Sequence, residues 1–583
     1  MGGFCRSPKG SVDAFCRSHC EKTFVRFCGK LLAWALTGAT PMKLIDSSAP
    51  AANNAFTTSV ATACALAPEM KYILGIDVGS TVIRCHVYDK AAVLKGFSSK
   101  QIEALHPQPG WVELDPENLW TQFIDVIKEA VQVAGLKMNQ ISALGLSTQR
   151  ATFITWNKKT GKPFHNFISW QDVRAANLVK SWNRSFLMKA VHGISSLLHF
   201  FTRINKLLLA RSFSFTTQHV SLRLVWVLQH LSEVEQAAKD DNCCFGTVDT
   251  WLLYKLTKGA VYATDYSNAS TTAFFDPFKL QWSDLFSKLL SIPISLFPPV
   301  EDTSHIFGSV DAEIFGVPIA IAALAADQQA AMFGQCCFDT GDIKVTVGTG
   351  TFWDINTGNN IHVSKKGLYP LVGWKIGNEI TYLAEGNASD TGNAISWIQS
   401  LELFDNVEET SQMAHSLVNS GGVCFVPSFS GLQIPMNDPY ACTSFMGITS
   451  TTTKKHLVRA VLESIAFRNK QLYDIITTEL SIPAMSIRAD GGVSKNSFVM
   501  QMTSDLINKS INKPDSTDMS CLGAAFLAGL AIGYWTDKEH LKKLRQTEMV
   551  FKPQREPKEY EPAMSNWIKA VRRSLSWYSQ ASQ

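Results

Sequence analysis

The most constraining feature of the sequence is a strand–turn–strand pattern that begins at residue 71. The segment 71–90 reads KYILGIDVGSTVIRCHVYDK, and apolar residues alternate with other residues on both sides of its Asp-Val-Gly-Ser-Thr turn. Alternation with a period of two is typical of strands, and a glycine-bearing turn between two such runs predicts a β-hairpin. Further elements must then cover the apolar faces of this hairpin.

Strand-like and helix-like segments alternate through most of the remaining chain. This alternation predicts an α/β fold in which helices cover both faces of each sheet. The chain has 583 residues, of which 46% are hydrophobic and 18% charged, and this is enough for two large lobes. We expect the lobes to meet near 334–341. The segments are strands over 142–146, 319–324 and 343–347, and helices over 222–230 and 454–467.

Composition excludes several classes of function. The net charge is +4 and no long run of one sign occurs, so the sequence does not predict nucleic-acid binding. No apolar stretch reaches the length of about 18 residues that a transmembrane segment needs. The cysteines beyond residue 70 are scattered or adjacent, as in Cys243-Cys244, which favours a reducing compartment. We therefore expect a cytoplasmic protein.

The two ends of the chain differ from its middle. Residues 1–69 are rich in Ser, Ala and Thr, and we interpret them as an N-terminal extension that is either a targeting presequence or dispensable. Targeting to mitochondria remains open. Residues 551–583 are predicted to form a C-terminal helical tail.

One internal stretch has an unusual charge distribution. Between Asp172 and Glu233 there is no acidic residue, although several basic residues occur. Within 185–211, apolar residues recur at roughly helical spacing. Such a segment is either an interfacial helix that contacts anionic lipid or a core-packing helix with a basic edge. The second interpretation is favoured because core-packing amphipathic helices are common.

Glycine-bearing turns with polar neighbours occur at three places. Glycine lets backbone amides approach a phosphate closely, and hydroxyl groups add donors. One such turn is usually only a turn, but three together favour an anion-binding function. The chain has no GxxxxGK[ST] loop, so it is not a P-loop enzyme. The turns are Asp77-Val78-Gly79-Ser80-Thr81, Gly348-Thr349-Gly350-Thr351, and Asp490-Gly491-Gly492 followed by Asn496.

Two aspartates are placed at the ends of predicted strands. Asp327 follows an apolar run and begins a small-residue helix, where it is either a helix cap worth about 1 kcal/mol or a general base. Asp77, at the end of the first strand, is suited to orient a hydrated magnesium ion. Two such carboxylates together with hydroxyl-rich glycine turns suggest phosphoryl transfer to an alcohol.

Arg150 lies in the stretch GLSTQRATFITW, between two apolar runs. An arginine is almost never fully buried without a partner, because an unpaired desolvated cation costs several kcal/mol. Arg150 is therefore expected either to line a site or to form a salt bridge.

The order of motifs resembles the FGGY family of carbohydrate kinases, and its glycerol kinases in particular. The similarity covers about residues 70–550 without interruption. It implies two lobes of the actin and hexokinase type (ribonuclease H-like), related by duplication, with ATP and substrate in a central cleft. The motifs are IDVGST, STQR, FISWQDVR (167–174), FGTVDTWLLYKLT (245–257), TDYSNAST (264–271), ADQQAAMFG, VGTGT, DGGVSKN and CLGAAFLAGLAIGYW (521–535).

The resemblance assigns a nucleotide-binding lobe and an acceptor-binding lobe. It implies an N-terminal lobe over 70–335, which holds the first phosphate loop, the polyol pocket and the base, and a C-terminal lobe over 336–550, which binds the nucleotide. The resemblance is also compatible with a chain that forms a homo-oligomer. The residues that match family positions for ATP are Gly79, Ser80, Thr81 and Arg84 in the first phosphate loop, Thr349 in the second, and Gly392, Gly492 and Asn496 on the adenine and ribose side.

For the reaction itself, the resemblance implies that Asp327 is the catalytic base of an ATP-dependent and magnesium-dependent kinase. Asp327 also belongs to the polyol pocket, and Arg150 and Gln328 complete the part of the pocket that matches. The metal ion is expected at Asp77 and Asp327. The implied reaction converts glycerol, or a similar small polyol, into its phosphate.

The sequence departs from the family pattern where the polyol is expected. Ala151 follows Arg150 where the glycerol kinases of the family have glutamate, and a pocket tyrosine has no match in 215–226. Val82, Ser396 and Thr443 are smaller departures. Loss of one charged hydrogen bond costs about 1.5 to 3 kcal/mol, which weakens or redirects glycerol recognition. The alternatives are therefore a kinase for another small polyol or sugar, and a nucleotide-binding regulatory protein.

Overall fold

The structure is a computed structural model and describes residues 72–578. The predicted extension over 1–69 lies outside these residues. The predicted hairpin is confirmed, because Tyr72–Val78 and Val82–Tyr88 pair as antiparallel strands with Asp77 opposite Arg84.

Short strands and helices alternate along the first part of the chain, as the sequence predicts. In chain order the strands are β1 (Tyr72–Val78), β2 (Val82–Tyr88), β3 (Leu94–Gln101), β4 (Glu113–Leu114), β5 (Ile141–Thr148), β6 (Phe153–Asn157), β7 (Phe167–Ile168), β8 (Cys243–Thr247), β9 (Thr264–Asp265), β10 (Phe275–Asp276), β11 (Gln281–Trp282), β12 (Val300–Glu301), β13 (Ser304–Ser309) and β14 (Ala320–Ala326). The helices are α1 (Pro116–Val133), α2 (Ala176–Arg184), α3 (Phe186–Thr202), α4 (Asn205–Ser212), α5 (Val220–His230), α6 (Ser232–Lys239), α7 (Val248–Leu256), α8 (Tyr266–Ser270), α9 (Asp284–Leu290), α10 (Ala312–Phe315) and α11 (Asp327–Gly334).

The second part of the chain repeats this alternation. Its strands are β15 (Ile343–Val347), β16 (Thr351–Gly358), β17 (Tyr369–Ile376), β18 (Glu379–Ala388), β19 (Cys424–Val426), β20 (Ser444–Met446), β21 (Ile487–Asp490), β22 (Ile511–Lys513) and β23 (Met549–Phe551). Its helices are α12 (Gly392–Ser400), α13 (Glu409–His415), α14 (Lys454–Glu479), α15 (Ser497–Ile507), α16 (Met519–Ala531), α17 (Lys538–Leu544) and α18 (Glu561–Ser574).

The two main sheets have the same core arrangement. The first has the order β13-β14-β5-β1-β2-β3, and the second has the order β17-β18-β16-β15-β21-β22-β23. In each sheet a hairpin, β1–β2 or β15–β16, is followed by a strand that pairs parallel to the first hairpin strand, β5 or β21. This repeated topology agrees with the predicted α/β fold of two related lobes.

Local sequence explains where the first long helix begins. The side chain of Asp115 accepts hydrogen bonds from the backbone amides of Glu117 (2.8 Å) and Asn118 (3.0 Å). Pro116 occupies the first helical position, where its missing N–H leaves no hydrogen bond unmade. The apolar face of α1 includes Phe123, which is buried against the first sheet.

Helices cover both faces of the first sheet, and this explains why its central strands are almost continuously apolar. The helices α1 and α7 pack on one face, and α16 packs on the other. The backbone of α16 approaches the sheet closely, because Gly75 and Gly145 carry no side chain there. A Cβ atom at Gly75 would lie 1.9 Å from the carbonyl oxygen of Cys521, and one at Gly145 would lie 2.0 Å from that of Ala524.

The helices α11 and α16 cross where the two lobes meet. A Cβ atom at Gly523 would lie 1.8 Å from the carbonyl oxygen of Ala330, so the two backbones are in direct contact. The sequence position of α16 is in the second part of the chain, but the helix packs on the first sheet. The predicted boundary between the lobes, at residues 335 and 336, stays a prediction. A helix from beyond this boundary, α16, packs on the sheet that precedes it.

The last helix, α18, packs on the second lobe through Trp567, whose indole N–H donates to the carbonyl oxygen of Phe425 (2.7 Å). Among the described residues, the cysteines from Cys85 to Cys521 are unpaired. Within 72–578, no helix is both long enough and apolar enough to cross a membrane.

We expect Gly75→Ala to lower the free energy of unfolding by about 3 kcal/mol, because the new methyl group overlaps the backbone of α16. Urea denaturation of the purified chain measures this. The control is Gly193→Ala, in the middle of α3, where a Cβ atom meets nothing within 4 Å. That substitution is expected to raise stability by about 0.5 to 1 kcal/mol. Equal effects of the two substitutions would contradict the close approach of α16.

Candidate active site

Three neighbouring strands of the first sheet end at the same edge and carry the predicted catalytic residues. Strands β1, β5 and β14 are parallel, with Asp77 of β1 next to Ser147 of β5, and Ala325 of β14 next to the same serine. Asp327 follows β14 directly and begins α11, as predicted. Ligands in α/β folds bind at the carboxyl ends of such strands. The Ser147 hydroxyl donates to Asp77 Oδ1 at 2.7 Å and so fixes this carboxylate.

A cavity of about 1720 Å³ lies between the lobes and reaches this edge. Pockets for small ligands usually have volumes of about 300 to 1,000 Å³, so this cavity has room for more than one molecule. Most of the predicted site residues lie on its wall. They are Asp77, Gly79, Ser80, Thr81, Arg84, Arg150, Asp327, Gln328, Thr349 and Gly492.

Burial raises the pKa of both strand-end carboxylates. It raises the pKa of Asp77 to about 6, while the nearby Arg84 opposes this shift and the Asp327 carboxylate adds to it. Burial likewise raises the pKa of Asp327, and Arg150 is the main group that opposes the shift. Both carboxylates are thus poorly solvated and lie in each other's field, a condition that a cation or a bound proton relieves.

Arg150 joins the two lobes. Its guanidinium donates to both carboxylate oxygens of Glu385 on β18, at 2.6 and 3.1 Å, and its Nε lies 3.5 Å from Asp327 Oδ1. The two opposing predictions for Arg150 therefore both describe it: it lines the cavity and forms a salt bridge. A bidentate contact of this kind fixes the orientation of the guanidinium plane.

A second ion pair lies behind Arg150. Lys344 and Asp354 are both fully buried, with Lys344 Nζ 2.9 Å from Asp354 Oδ2. Lys344 also donates to Gln328 Oε1 at 2.6 Å and thereby sets the orientation of that side chain. Burial raises the pKa of Glu385, and the neighbouring Asp354 adds to the shift that Arg150 opposes. Charged side chains from both lobes thus lie on the pocket wall and directly behind it.

The first glycine turn is held in place by the strand beside it. Gly79 N–H donates to the carbonyl oxygen of Val82 (3.0 Å), and the Gln149 side chain donates to the Gly79 carbonyl oxygen (2.8 Å). The indole N–H of Trp170 donates to Ser80 Oγ at 2.8 Å. Thr81, at the tip of the turn, is exposed to the cavity. The turn is therefore rigid and presents its hydroxyl groups to the space between the lobes.

Arg84 lies between two carboxylates beside this turn. Its Nε is 3.2 Å from Asp518 Oδ1, and its Nη1 is 3.7 Å from Asp77 Oδ2. The side chain of Arg84 remains about one third exposed. Arg84 thus keeps donors available on the cavity wall while its charge balances Asp77.

The second glycine turn, at 348–350, packs against the start of α12. The backbone amide of Gly392 donates to the carbonyl oxygens of Gly348 (3.0 Å) and Thr349 (2.9 Å). A Cβ atom at Gly392 would lie 2.7 Å from the Gly348 oxygen, so only glycine allows this approach. Gly392 supports the turn from behind, whereas Thr349 lies on the cavity wall.

The third glycine turn follows β21. Gly491 has φ +85, and a Cβ atom there would lie 2.6 Å from the Val347 carbonyl oxygen. Gly492 lies on the cavity wall with open space beside it. Asn496 caps α15 by accepting from Val499 N–H (3.2 Å) and donates to Thr410 Oγ1 (2.9 Å). Its side chain is committed to these contacts, and Asn496 is not on the cavity wall that the structure shows.

Ala151 lies on the cavity wall in the left-handed region, with φ +58. Its carbonyl oxygen accepts from Arg223 Nη2 at 2.7 Å. Arg223 is fully buried and also donates to carbonyl oxygens of Ser169 (2.6 Å) and Gln218 (2.8 Å). Burial lowers the pKa of Arg223 to about 9. Arg223 therefore ties the Ala151 turn to the start of α5.

Several residues of the site were not found from the sequence. Trp170 lies within the FISWQDVR motif, and this motif could have marked it as a site residue. Its contact with Ser80, 90 positions away, appears only in the folded structure. Glu385 is 235 positions from Arg150, and no periodic pattern links them. The other residues of this kind are Lys344, Asp354 and Asp518.

Solved structures share this architecture. The structure of Plasmodium falciparum glycerol kinase with ADP matches with a TM-score of 0.77 and 32% sequence identity, and the match covers 87% of this chain and 98% of that one. Ligand-bound xylulose kinase from Lactobacillus acidophilus matches with a TM-score of 0.72 at 21% identity over 86% of this chain and 98% of that one, which shows the shared fold alone.

Curated relatives agree with the structural matches. Glycerol kinase 5 of Homo sapiens is 66% identical over 509 residues, which cover 87% of this chain and 96% of the relative. Glycerol kinase 2 of Thermotoga maritima is 40% identical over 509 residues, which cover 87% and 99%. Residues 72–334 match the N-terminal domain of the FGGY family of carbohydrate kinases, and residues 343–532 match its C-terminal domain. The chain therefore belongs to the FGGY family of carbohydrate kinases.

Proposed function

We propose that the protein transfers the terminal phosphoryl group of ATP to glycerol and forms sn-glycerol 3-phosphate. The observation that carries this proposal is the placement of Asp327 and Arg150, 3.5 Å apart, in the cavity that the glycine turns also line. The ADP in the related Plasmodium falciparum glycerol kinase supports ATP as the donor. The names of the most similar curated relatives support glycerol as the acceptor.

In the proposed reaction, the carboxylate of Asp327 takes the proton from the attacking hydroxyl group. The raised pKa of Asp327 suits this role, because a general base works best when its pKa lies closer to the working pH than that of an ordinary aspartate. Arg150 and Gln328 hold the remaining hydroxyl groups. The orientation of Gln328 is set in advance by Lys344, so little ordering is needed when the polyol binds.

For the nucleotide, we propose that Ser80, Thr81 and Thr349 donate to phosphate oxygens, as backbone amides and hydroxyl groups at glycine turns do. Arg84 adds a positive charge beside the first turn. We further propose that Gly492 borders the adenine and ribose.

Gly392 and Asn496 are proposed to shape the adenine and ribose side indirectly. The close contact of Gly392 with the second turn and the capping of α15 by Asn496 support this.

Asp77 and Asp327 fit a magnesium ion. Both supply hard carboxylate oxygens, both have a raised pKa, and each lies in the field of the other, which a divalent cation compensates. When bound, the ion supplies positive charge that stabilises the transferring phosphoryl group. Within 72–578 no cluster of three or more metal-binding side chains occurs, so the remaining ligands would be water and phosphate oxygens.

The compartment that we propose is the cytoplasm. The unpaired cysteines between Cys85 and Cys521 suit a reducing environment.

A second candidate acceptor is another small polyol or sugar. Ala151 lies on the wall of the polyol pocket and supplies no carboxylate where the family's glycerol kinases have one. This favours a substrate whose hydroxyl groups donate fewer hydrogen bonds to the protein. Comparing phosphorylation of glycerol, dihydroxyacetone, erythritol and ribulose separates the two candidates.

We expect Asp327→Asn to lower kcat with glycerol at least a thousandfold, since the base is lost while the shape is kept. A coupled ADP-release assay measures this. The matched control is Asp537→Asn at the surface start of α17, where Asp537 caps the helix by accepting from His540 N–H (2.8 Å). That variant should keep full activity. An unchanged kcat of Asp327→Asn would mean that Asp327 is not the base. If the substitution left every measurable cellular activity unchanged, the alternative of a nucleotide-binding regulatory protein would gain support.

We expect Ala151→Glu to lower the KM for glycerol about tenfold, because the new carboxylate accepts hydrogen bonds from the polyol. Initial rates at varied glycerol concentration measure this, with KM and kcat resolved separately. Ala151→Gln is the size-matched control, and its neutral side chain is expected to give a smaller decrease. A KM for the glutamate variant that is unchanged or higher means that the pocket binds its acceptor by another route.

We expect Glu385→Gln to raise the KM for the polyol at least tenfold and to lower the free energy of unfolding by about 1.5 to 3 kcal/mol. The reason is that Arg150 loses its bidentate carboxylate partner and its fixed orientation. Kinetics and urea denaturation measure the two effects. Glu379→Gln is the control, because Glu379 is on the same strand but partly exposed at its surface end. If both variants behave alike, Glu385 does not position Arg150.

A further inference from the structure

The end of α3 and the turn that follows it expose apolar side chains. Leu197, Phe200, Phe201 and Ile204 are 61%, 63%, 73% and 36% exposed. We refer to these four residues as the apolar tip. The rings of Phe200 and Phe201 lie edge to face with centroids 5.3 Å apart, so they form one continuous apolar surface. Clustered exposed apolar side chains usually mark an interaction site, whereas single ones do not.

The fold separates the apolar tip from the core. The first half of α3 is packed, with Leu187 and Met188 buried and Leu187 in contact with α9. The second half contacts α4, which runs back beside it. Of the two interpretations of 185–211, a core-packing helix therefore describes the first half of α3, and an interfacial helix fits the second half.

The turn between α3 and α4 is well defined. Arg203 adopts the left-handed conformation with φ +57, and its backbone amide donates to the His199 carbonyl oxygen at 2.8 Å. The ring of His199 is buried beneath the tip and contacts the Ile204 carbonyl oxygen at 3.1 Å through Nδ1. These contacts hold the chain reversal in place, so the apolar side chains are displayed by ordered backbone.

The charged side chains of the segment that carries the apolar tip have one sign. No acidic residue occurs between Asp172 and Glu233, and Lys189, Arg203 and Arg211 are exposed on α3, on the turn and on α4. The Arg203 guanidinium lies 5.6 Å from the Phe200 ring centroid, beside the apolar surface. Exposed aromatic and aliphatic side chains with basic neighbours are typical of elements that lie at the surface of an anionic bilayer.

We propose that the apolar tip docks the protein on a membrane surface that carries anionic lipid. The tip is small: it has four side chains, whereas each side of a stable protein interface has about 20 to 30 residues. Four apolar side chains are enough for shallow insertion between headgroups. Met188 and Val191 of α3 and Leu209 of α4 also line the catalytic cavity. The two helices that carry the apolar tip therefore also form part of the cavity wall.

Sedimentation of the full chain with vesicles tests this proposal. One set of vesicles contains phosphatidylcholine alone, and the other contains phosphatidylcholine with 30% phosphatidylserine. We expect binding to the second set at least tenfold tighter than to the first, and weaker binding as salt is added. The double substitution Phe200→Ser with Phe201→Ser should reduce binding at least tenfold, and Arg203→Gln should reduce it by a smaller factor that high salt removes.

Val418→Ser is the control, because Val418 is 90% exposed on the second lobe, outside the apolar tip. It should bind vesicles as the unsubstituted chain does. The kinase activity of all these variants in solution should be unchanged, which separates a failure of docking from a failure of the proposed reaction. The proposal is overturned if the phenylalanine variant binds as well as the unsubstituted chain, or if phosphatidylserine has no effect. It is also overturned if the chain ignores vesicles and light scattering shows a dimer that the double substitution dissociates.

Discussion

The structure depends on the contact that Arg150 makes between the lobes. Its guanidinium forms ion pairs with Asp327 of the first lobe and with Glu385 of the second lobe. Charged groups that are removed from water are stable only when they are paired with an opposite charge, because an uncompensated buried charge costs several kcal/mol. The carboxylates of Asp327 and Glu385 and the guanidinium of Arg150 therefore stabilise each other only when the two lobes are close together.

Small residues make this closeness possible. At Gly75, Gly145 and Gly523 the backbones of the sheet and of α11 and α16 are in direct contact, and any side chain would separate them. The crossing of α11 with α16 fixes the point where the lobes meet, and Asp327 is the first residue of α11. The helix at which the lobes meet is thus also the helix that positions the carboxylate proposed as the base, so the proposed chemistry depends on the geometry of the lobes.

Local structure was predictable from the sequence, whereas long-range partners were not. The β1–β2 hairpin, β14 and the position of Asp327 at a helix start follow from local sequence patterns, and all three are confirmed. The cap role considered for Asp327 is not, because the N-cap residue is Ala326 and no side chain caps the helix. The pairing of Arg150 with Glu385 joins residues that are 235 positions apart. Likewise, α16 lies late in the sequence but packs on the first sheet. No local pattern encodes such contacts. The motif resemblance supplied the family, but not Asp354 or Asp518.

The charges in the pocket explain why position 151 can be an alanine. Arg150 already has two carboxylates near it, Asp327 and Glu385, so the missing glutamate is not needed to neutralise the arginine. The alanine therefore leaves no buried charge unpaired at this point, and its turn is held by Arg223. Under the proposed function, what the pocket loses is a carboxylate that would accept a hydrogen bond from a substrate hydroxyl group. The departure from the family pattern is then expected to act on the choice and affinity of the proposed polyol, while the groups proposed for phosphoryl transfer keep their contacts.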